Sequence, residues 1–283
     1  MHQIVAKREL APAITRFEVE APRIARKWQA GQFVILRLSE GGERIPLTIA
    51  DVDRERGLIT LIVQRVGKTT TDLSNLEVGA AIRDLTGPLG TPTHIENFGT
   101  VGAIAGGVGT AVVYPIARAL KEAGNRVWTI LGARSRELVI LAEELQVVSD
   151  ELAITTEDGS LGYRGLVTDL LREWLEQGRP LDHVFAAGPV PMMQAVVEVM
   201  RPYHIPTTVS LNPIMVDGTG MCGCCRVSIH GQTKYTCVEG PEFDGFAVNF
   251  EELMARLRMY RPQERLALER CQAGKGGGRS RLK

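Results

Sequence analysis

The chain has 283 residues, of which 44% are hydrophobic and 23% are charged, a composition typical of a soluble protein with two domains. Its 33 acidic and 33 basic residues balance, so net charge supplies no general attraction to nucleic acid or to an anionic membrane. The start, MHQIVAKREL, lacks the apolar core of a secretory signal, and no stretch approaches the roughly 18 apolar residues of a membrane span, so we expect a cytoplasmic protein.

The first predicted elements are short strands separated by turns, over residues 1–97. QFVILRL and GLITLIVQRV are rich in Val, Ile and Leu and are bounded by glycine or charged residues. GPLGTP closes this part with the glycine and proline of a loop. Strands at this spacing predict a small antiparallel β-barrel.

In residues 98–212 the predicted strands alternate with predicted helices. The predicted strands are TVGAIAG, RVWTILGA, ELAITT, DHVFAAG and TTVSLN, and the predicted helices are TAVVYPIARALKEAG, ELVILAEEL, LVTDLLREWLEQG and VPMMQAVVEVMRPY. Alternation of this kind predicts a doubly wound parallel sheet with helices on both faces. Pro115 argues against an unbroken first helix, because proline removes a backbone donor.

Two further segments complete the chain. Residues 213–250 contain a cysteine-rich loop, and FAVNFEELMARLRMYRPQERLALERC, which follows it, is predicted to be helical. Within residues 251–283, the final QAGKGGGRSRLK is predicted to be a flexible basic tail, with partner binding the less favoured interpretation.

Four of the five cysteines lie in one loop, DGTGMCGCCRVSIHGQTKYTC. Asp217, Cys222, Cys225 and Cys237 give the spacing D-x4-C-x2-C-x11-C, which is the plant-type 2Fe–2S pattern with Asp at the first ligand position. Two irons need four anionic ligands on a compact cluster, and the loop contains the glycines that a sharp turn around a cluster requires. Those glycines are Gly218, Gly220 and Gly223.

Zinc is the competing interpretation of this loop. Its ligands would be the same three cysteines with a carboxylate or His230, since C-x2-C is a common zinc spacing. Structural zinc sites usually have two such pairs and only one is present, so the spacing favours iron and sulfur. A disulfide is disfavoured in a reducing cytoplasm. Cys224 breaks the spacing and is expected to pack as a small apolar side chain.

Three turns at the ends of predicted strands indicate nucleotide binding. AIAGGVGTA and AAGPVPMMQAV each place a glycine turn between a strand and a helix, where backbone can approach a pyrophosphate. LGARSREL adds Arg134, Ser135 and Arg136, which suit either an adenosine ribose or its 2′-phosphate, or are ordinary surface charge. Glycines also occur in tight turns for packing alone, so each motif is weak by itself.

Taken together, these motifs resemble a known family. AGQFVIL, IPLTIAD, GKTTTDL, AGGVGTAVVYP, TEDGSLGYRG and AAGPVPMM occur in order and resemble the ferredoxin–NADP reductase superfamily across residues 1–212. The cysteine loop extends the resemblance, to about residue 250, to the branch with a C-terminal 2Fe–2S module. That branch includes the electron transfer subunit of dihydroorotate dehydrogenase, the small subunit of NADH-dependent ferredoxin:NADP oxidoreductase, and related sulfide dehydrogenase subunits.

The resemblance implies domains and cofactor contacts. It implies an FAD-binding barrel at 1–97, an NAD(P)-binding domain at 98–212, a 2Fe–2S module at 213–250 and a C-terminal helix and tail at 251–283. Ile45 takes the place of the branch's usual flavin-site arginine, and Arg44 falls one residue earlier. The implied FAD contacts are Pro46, Leu47, Thr48, Ile62, Val63, Gln64, Thr69 and Thr70. The implied dinucleotide contacts are Gly106, Gly107, Gly109, Thr110, Arg134, Ser135, Gly188, Pro189 and Met192.

The resemblance also implies a function. NAD(H), or alternatively NADP(H), would exchange a hydride with FAD, and a 2Fe–2S cluster held by Asp217, Cys222, Cys225 and Cys237 would carry single electrons to a larger partner. In the related enzymes that partner holds a second flavin and 4Fe–4S clusters and reaches ferredoxin, which is flavin-based electron bifurcation. Cys271 is the only cysteine of the sequence outside the loop, so this chain could not hold 4Fe–4S clusters itself. A separate partner is therefore implied. No acid–base catalytic residue is predicted.

Two alternatives remain. The first is the electron transfer subunit of NAD-dependent dihydroorotate dehydrogenase, against which Asp217 counts because those subunits have cysteine there. The second is of another class, a zinc-stabilised nucleotide-binding regulator without a redox role.

Overall fold

The computed structural model describes residues 1–276, with side chains to residue 273. The end of the predicted basic tail, residues 277–283, lies outside the described residues. None of the helices in the described part combines the length and the apolar character that crossing a membrane requires.

The amino-terminal part is a nearly closed antiparallel barrel, as predicted. Its strands are β1 (His2–Ala11), β2 (Ile14–Glu20), β3 (Phe33–Arg37), β4 (Ile45–Asp53), β5 (Leu58–Gln64), β6 (Ala81–Ile82) and β7 (Asp84–Leu89). They pair in the order β6-β1-β2-β5-β4-β3-β7. Two short helices, α1 (Pro22–Lys27) and α2 (Lys68–Ser74), lie in the connections. Alternate strand residues such as Phe17, Ile59 and Leu61 fill an interior from which water is excluded.

The prediction of a loop at GPLGTP is partly wrong, because β7 continues through Gly87 and Pro88 to Leu89. β7 is an outer strand of the sheet order and pairs on one side only, with β3. Proline is tolerated in such a strand because its missing donor faces away from the ladder.

The second part is a parallel sheet with helices on both faces, which confirms the predicted α/β architecture. Its strands are β8 (Thr100–Gly106), β9 (Arg126–Ala133), β10 (Glu151–Thr156), β11 (Tyr163–Arg164), β12 (His183–Ala187) and β13 (Thr207–Ser210). Its helices are α3 (Thr110–Glu122), α4 (Ala142–Val148), α5 (Val167–Glu176) and α6 (Val190–Met200). One face packs under α3 and α4, and the other under α5 and α6, so the sheet is buried on both sides.

Helix α3 confirms the predicted first helix and runs unbroken through the buried Pro115. One helix prediction needs correction. The predicted helix ELVILAEEL begins late: a single 3-10 turn spans Arg136–Leu138, Leu141 has φ of 55°, and α4 begins only at Ala142. A residue in the left-handed region cannot continue an α-helix, so the apolar run is divided.

The second half of the cysteine loop forms β14 (Arg226–Ile229) and β15 (Gln232–Tyr235), and the loop ends in α7 (Thr236–Glu239), which β16 (Glu242–Asp244) follows. β14 and β15 form a hairpin, while β16 pairs antiparallel with β13 and completes the order β11-β10-β9-β8-β12-β13-β16. The predicted iron–sulfur module therefore contributes an edge strand to the nucleotide-domain sheet. The long C-terminal helix predicted from sequence is two helices, α8 (Phe250–Leu257) and α9 (Arg261–Gly276).

Candidate functional site

A cleft of about 930 Å³ lies between the barrel and the carboxyl ends of the parallel strands. The barrel wall comes from β3, β4 and β5, and the opposite wall comes from the turns that follow β8, β9 and β12. Carboxyl ends of parallel strands are where α/β folds bind nucleotides. Most of the predicted cofactor contacts of both sets therefore face one continuous space.

On the barrel wall, the structure brings together most of the residues predicted to contact a flavin. Those lining the cleft are Pro46, Leu47, Thr48, Ile62, Gln64 and Thr70. The Thr70 hydroxyl accepts a hydrogen bond from the Gly67 amide at 3.0 Å, which fixes the first turn of α2. Ile45 also lines the cleft, whereas Arg44 is exposed outside it, so the position at which the resemblance implies an arginine presents an apolar side chain.

Val63 and Thr69 are placed elsewhere. Val63 is fully buried in the barrel interior, because successive strand side chains point to opposite faces and its neighbours Ile62 and Gln64 take the cleft side. Thr69 is also buried, and its hydroxyl donates to the Glu43 carboxylate. Their side chains support the wall rather than form it.

On the opposite wall, glycines permit close approach between helix and strand. A Cβ on Gly109 would lie 2.3 Å from the carbonyl oxygen of Ala187, and one on Gly106 would lie 2.2 Å from Sδ of Met192. Gly107, by contrast, has φ of +56° and open space where a Cβ would be, so its backbone faces the cleft. The other predicted residues on this wall are Arg134, Gly188, Pro189 and Met192.

Thr110 and Ser135 are outside the lining of the cleft. Thr110 is fully buried, and its hydroxyl donates to the Gly107 carbonyl at 2.7 Å, so it holds the glycine turn in shape. Ser135 instead precedes the 3-10 turn at Arg136.

The cleft also contains residues that the sequence did not single out. Glu157 follows β10, and Ser210 and Asn212 lie at and beyond the end of β13. The rule that ligands bind at carboxyl ends of strands would have selected all three, because both strands were predicted. Phe33 and Met215 gave no such signal, since they read as ordinary core residues.

The cysteine loop presents two buried and two accessible donors. Cys225 and Cys237 are 1% and 2% exposed, and their sulfurs are 3.2 Å apart, while the Cys222 side chain is exposed. Burial is the main reason that the pKa of Cys237 is raised to about 12, and the nearby Gly220 backbone opposes the shift. Positive φ values at Gly218, Gly220 and Gly223 let the loop turn back on itself, as its glycines predicted.

Asp217 closes the start of this loop. Its two carboxylate oxygens accept hydrogen bonds from the amides of Thr219, at 2.7 Å, and Cys222, at 2.8 Å. These bonds, that from Thr219 foremost, hold the pKa of Asp217 below its ordinary value. The carboxylate is therefore an anion at neutral pH, positioned within the loop that carries the thiols.

The donor set suits an iron–sulfur cluster in its chemistry. Three thiols and one carboxylate are the anionic ligands that two irons need, and the Cys237 amide donates a hydrogen bond to the Cys225 sulfur at 3.5 Å. Within residues 1–273, no three His, Cys, Asp or Glu side chains are gathered as the ligands of a single metal ion, whereas a 2Fe–2S cluster takes only two protein ligands at each iron. His230, the alternative zinc ligand, faces Asp244 at 4.0 Å.

One apolar cluster connects the cysteines to the cleft. Phe33 and Met215 line the cleft and also pack with Cys225 and Cys237. Gly218 lies against the same cluster, since a Cβ there would be 2.6 Å from Leu89 of the barrel. The buried thiols are thus separated from the cofactor cleft by packed side chains rather than by solvent.

Comparison with known proteins agrees with this arrangement. Residues 212–249 match the family described as the iron–sulfur cluster binding domain of dihydroorotate dehydrogenase B, and residues 103–198 match the oxidoreductase NAD-binding domain. A dihydroorotate dehydrogenase B (NAD(+)) electron transfer subunit homolog from Thermotoga maritima is 48% identical over 270 residues, 95% of each chain. The dihydroorotate dehydrogenase B (NAD(+)) electron transfer subunit of Desulforamulus reducens is 33% identical and covers 88% of this chain and 97% of its own.

A solved structure is similar over nearly the whole chain. It is a chain from the structure of NADH-dependent reduced ferredoxin-NADP oxidoreductase, a study of flavin-based electron bifurcation, with 47% identity, a TM-score of 0.91, and coverage of 95% of this chain and 97% of that one. Fold and site together define an NAD(P)H-dependent oxidoreductase of the ferredoxin–NADP reductase type with an iron–sulfur domain. The chain belongs to the family of dihydroorotate dehydrogenase B electron transfer subunits and their homologues.

Proposed function

We propose that this chain exchanges a hydride between NAD(H) and FAD in the cleft and passes single electrons through a 2Fe–2S cluster to a larger partner subunit. The assembly we propose is a flavin-based bifurcating oxidoreductase that connects NADH, NADPH and ferredoxin. The cytoplasm is the proposed compartment, because Cys222, Cys225 and Cys237 form no disulfide in the structure and the cluster ligands must stay reduced.

The observation that carries the proposal is the position of Phe33 and Met215. Both side chains belong to the cleft wall and to the apolar cluster around Cys225 and Cys237. A protein that only bound a nucleotide would have no need to bury thiols directly behind its ligand cleft. Electron transfer between a cofactor in the cleft and a cluster in the loop does need that short, dry separation.

The residues have separable roles in this proposal. FAD, when bound, would take up two electrons as a hydride and release them singly, and the cluster would carry one at a time. Pro46, Leu47 and Ile62 form an apolar wall for a flat ring, while the Gly107 turn leaves open backbone at the start of a helix for a pyrophosphate. Asp217, Cys222, Cys225 and Cys237 would hold the cluster.

The choice of NAD(H) and of the bifurcating assembly has separate support. Glu157 lines the cleft near Arg134, and a carboxylate there suits a free ribose hydroxyl better than a 2′-phosphate. Asp217 has the place that cysteine occupies in dihydroorotate dehydrogenase subunits, and the structural match to NADH-dependent reduced ferredoxin-NADP oxidoreductase covers 95% of the chain.

The test is anaerobic purification of the chain with whatever binds it in its own cell. We expect FAD, iron and sulfide in this chain, and a companion chain that contains a second flavin and ferredoxin-type clusters. The complex should couple oxidation of NADPH to reduction of both NAD and ferredoxin. A colourless protein with bound zinc would contradict the redox role altogether.

The second candidate is electron transfer for dihydroorotate oxidation. The names of the two curated relatives and the family matched by residues 212–249 favour it. It predicts an FMN-binding companion and reduction of NAD that depends on dihydroorotate. The same purification therefore separates the two candidates, because the companions differ in cofactor and the complexes differ in electron donor.

A further inference from the structure

A second cavity, of about 240 Å³, lies on the outer part of the nucleotide-domain sheet, away from the cofactor cleft. It is lined by side chains of β12, β13 and β16 and of the linker between the barrel and β8. The cavity thus lies where all three predicted domains meet. Nothing in the proposed hydride and electron path uses it.

Aromatic rings form one wall of this cavity. The rings of Phe98 and Phe185 both pack against the His183 ring, with centroids 4.5 Å and 4.6 Å from it and 5.9 Å from each other. His183 Nε2 is 2.9 Å from the Thr208 hydroxyl, and burial lowers the pKa of His183 to about 4. The His183 ring is therefore neutral near pH 7, so the rings of Phe98, His183 and Phe185 form an uncharged aromatic part of the cavity lining.

Carboxylates form the other wall, and one of them lacks a counter-charge. Glu239 is paired with Lys234 at 2.7 Å and Asp244 faces His230 at 4.0 Å, whereas Glu242 forms no ion pair with a basic side chain among residues 1–273. One Glu242 oxygen accepts a hydrogen bond from the Thr93 hydroxyl at 2.7 Å, and the side chain lines the cavity. Burial raises the pKa of Glu242 to about 7, which the Thr93 bond only partly offsets.

We propose that this cavity binds one organic cation, an ammonium or guanidinium group, between the Glu242 carboxylate and the rings of Phe98 and Phe185. A carboxylate at the edge of a cavity with π faces opposite is the combination that stabilises a desolvated cation. A metal ion fits less well, since within the described chain no three His, Cys, Asp or Glu side chains are gathered as metal ligands. The proposal does not depend on the redox role.

The first test is calorimetric titration of the cofactor-loaded chain with agmatine, a guanidinium probe small enough for the cavity, and with pentylurea, a neutral analogue. We expect agmatine to bind and pentylurea to give no heat of binding. Agmatine affinity should fall by about tenfold or more in Glu242→Gln, because a hydrogen bond to a charged group is worth roughly 1.5–3 kcal/mol. Gln at this position still accepts the Thr93 hydrogen bond.

Two further variants make the result specific. Phe98→Leu keeps an apolar wall but removes a π face, and it should weaken agmatine binding several-fold. Glu251→Gln, at an exposed carboxylate on α8, should leave agmatine affinity unchanged. Absence of agmatine binding, equal binding of pentylurea, or equal loss in Glu251→Gln would each overturn the proposal.

The same titration distinguishes the two sources of such a cation. If agmatine binds the isolated chain but not the assembled complex, the natural occupant is a lysine or arginine side chain of the partner. If agmatine binds both, the occupant is a free amine or guanidine. Both outcomes support a cation site, and they assign it to assembly or to a small molecule respectively.

Discussion

Asp217 has a structural task in the cysteine loop besides any role as a ligand. Both of its oxygens are already engaged by the amides of Thr219 and Cys222. A carboxylate that accepts backbone hydrogen bonds fixes the shape of a turn, and a thiol at the same position would do so only weakly. Asp217 therefore determines how the loop is held as well as what it offers to iron.

The first prediction concerns this residue. Asp217→Ala removes one anionic donor and both loop hydrogen bonds, so we expect iron affinity to fall on the order of tenfold or more. Asp217→Cys should retain iron but change the reduction potential. Iron and sulfide per chain after anaerobic reconstitution measure the first effect, and Cys224→Ala is the control that should keep full iron. Normal iron content in Asp217→Ala would remove Asp217 from the ligand set.

The second prediction concerns the pH dependence of stability through Glu242. Its pKa is about 7 in the folded chain against an ordinary 4.5, so between these values the folded chain holds a proton that the unfolded chain has released. The contribution of Glu242 to the free energy of unfolding therefore falls as pH rises through this window. Glu242→Gln should be more stable than the parent at about pH 8, by on the order of 1 kcal/mol, and should lose that advantage near pH 4.

Denaturant unfolding of both proteins at several pH values measures this difference. An advantage that is equally large at the two ends of the range would show that the carboxyl group does not titrate as its burial implies. The measurement also establishes that Glu242→Gln is folded when it is used in binding experiments.

At the scale of elements, the turn from β8 into α3 uses its glycines for two different reasons. Gly109 is needed for packing, since its Cα lies against the backbone at the end of β12. Gly107 is needed for conformation and for open space, since its φ is +56° and no atom lies within 4 Å of a Cβ there. One sequence motif thus combines a helix–strand contact with a ligand-facing turn.

The third prediction separates these two reasons. Gly109→Ala should lower the free energy of unfolding by about 2 kcal/mol or more, because a Cβ 2.3 Å from the Ala187 oxygen forces α3 away from the sheet. Gly107→Ala should cost only about 1 kcal/mol for the left-handed conformation, yet weaken NADH binding, because its methyl group enters the open space of the turn. Chemical unfolding and NADH titration of both variants test this. Equal effects of the two variants on stability would contradict it.

At the scale of the whole molecule, the cleft exists only while the barrel and the nucleotide domain stay packed together. Asp51 of β4 and Arg118 of α3 form an ion pair across this boundary at 2.9 Å, with each side chain 30% exposed. A small apolar cluster that includes Ile14, Ile62 and Ala111 lies at the same boundary. Partly exposed ion pairs contribute little to the free energy of unfolding. The apolar cluster therefore supplies most of the attraction between the barrel and the nucleotide domain, and the ion pair fixes their relative orientation.

The fourth prediction concerns the Asp51–Arg118 ion pair at this boundary. Arg118→Gln should lower the free energy of unfolding by at most about 1 kcal/mol but speed the release of FAD, since both walls of the cleft depend on this boundary. Lys121→Gln is the matched control, because Lys121 is on the same helix and pairs with Asp150 inside one domain, at 2.5 Å. Flavin fluorescence after dilution measures release. Equal release rates in the two variants would mean that Arg118 does not hold the boundary.

The sequence was enough to predict those features that depend only on residues close together in the chain. Apolar runs bounded by glycine or charge located β5, β8 and β9 almost to the residue, because a buried strand needs such a run and little else. Cysteine spacing likewise identified the loop and its glycine turns, because ligand spacing is a property of the chain itself. The motifs in order identified the family, which the relatives confirm.

Tertiary structure decided what depends on contacts between distant residues. The structure places the side chains of Val63 and Thr69 away from the cleft, which the sequence did not predict. It also places Phe33 and Met215 between the cleft and the thiols, and it adds β16 to the nucleotide-domain sheet. The cavity at Glu242 likewise exists only where three parts of the chain meet. Which face a residue presents, and what lies opposite it, depends on packing between segments far apart in sequence, and no local pattern records that packing.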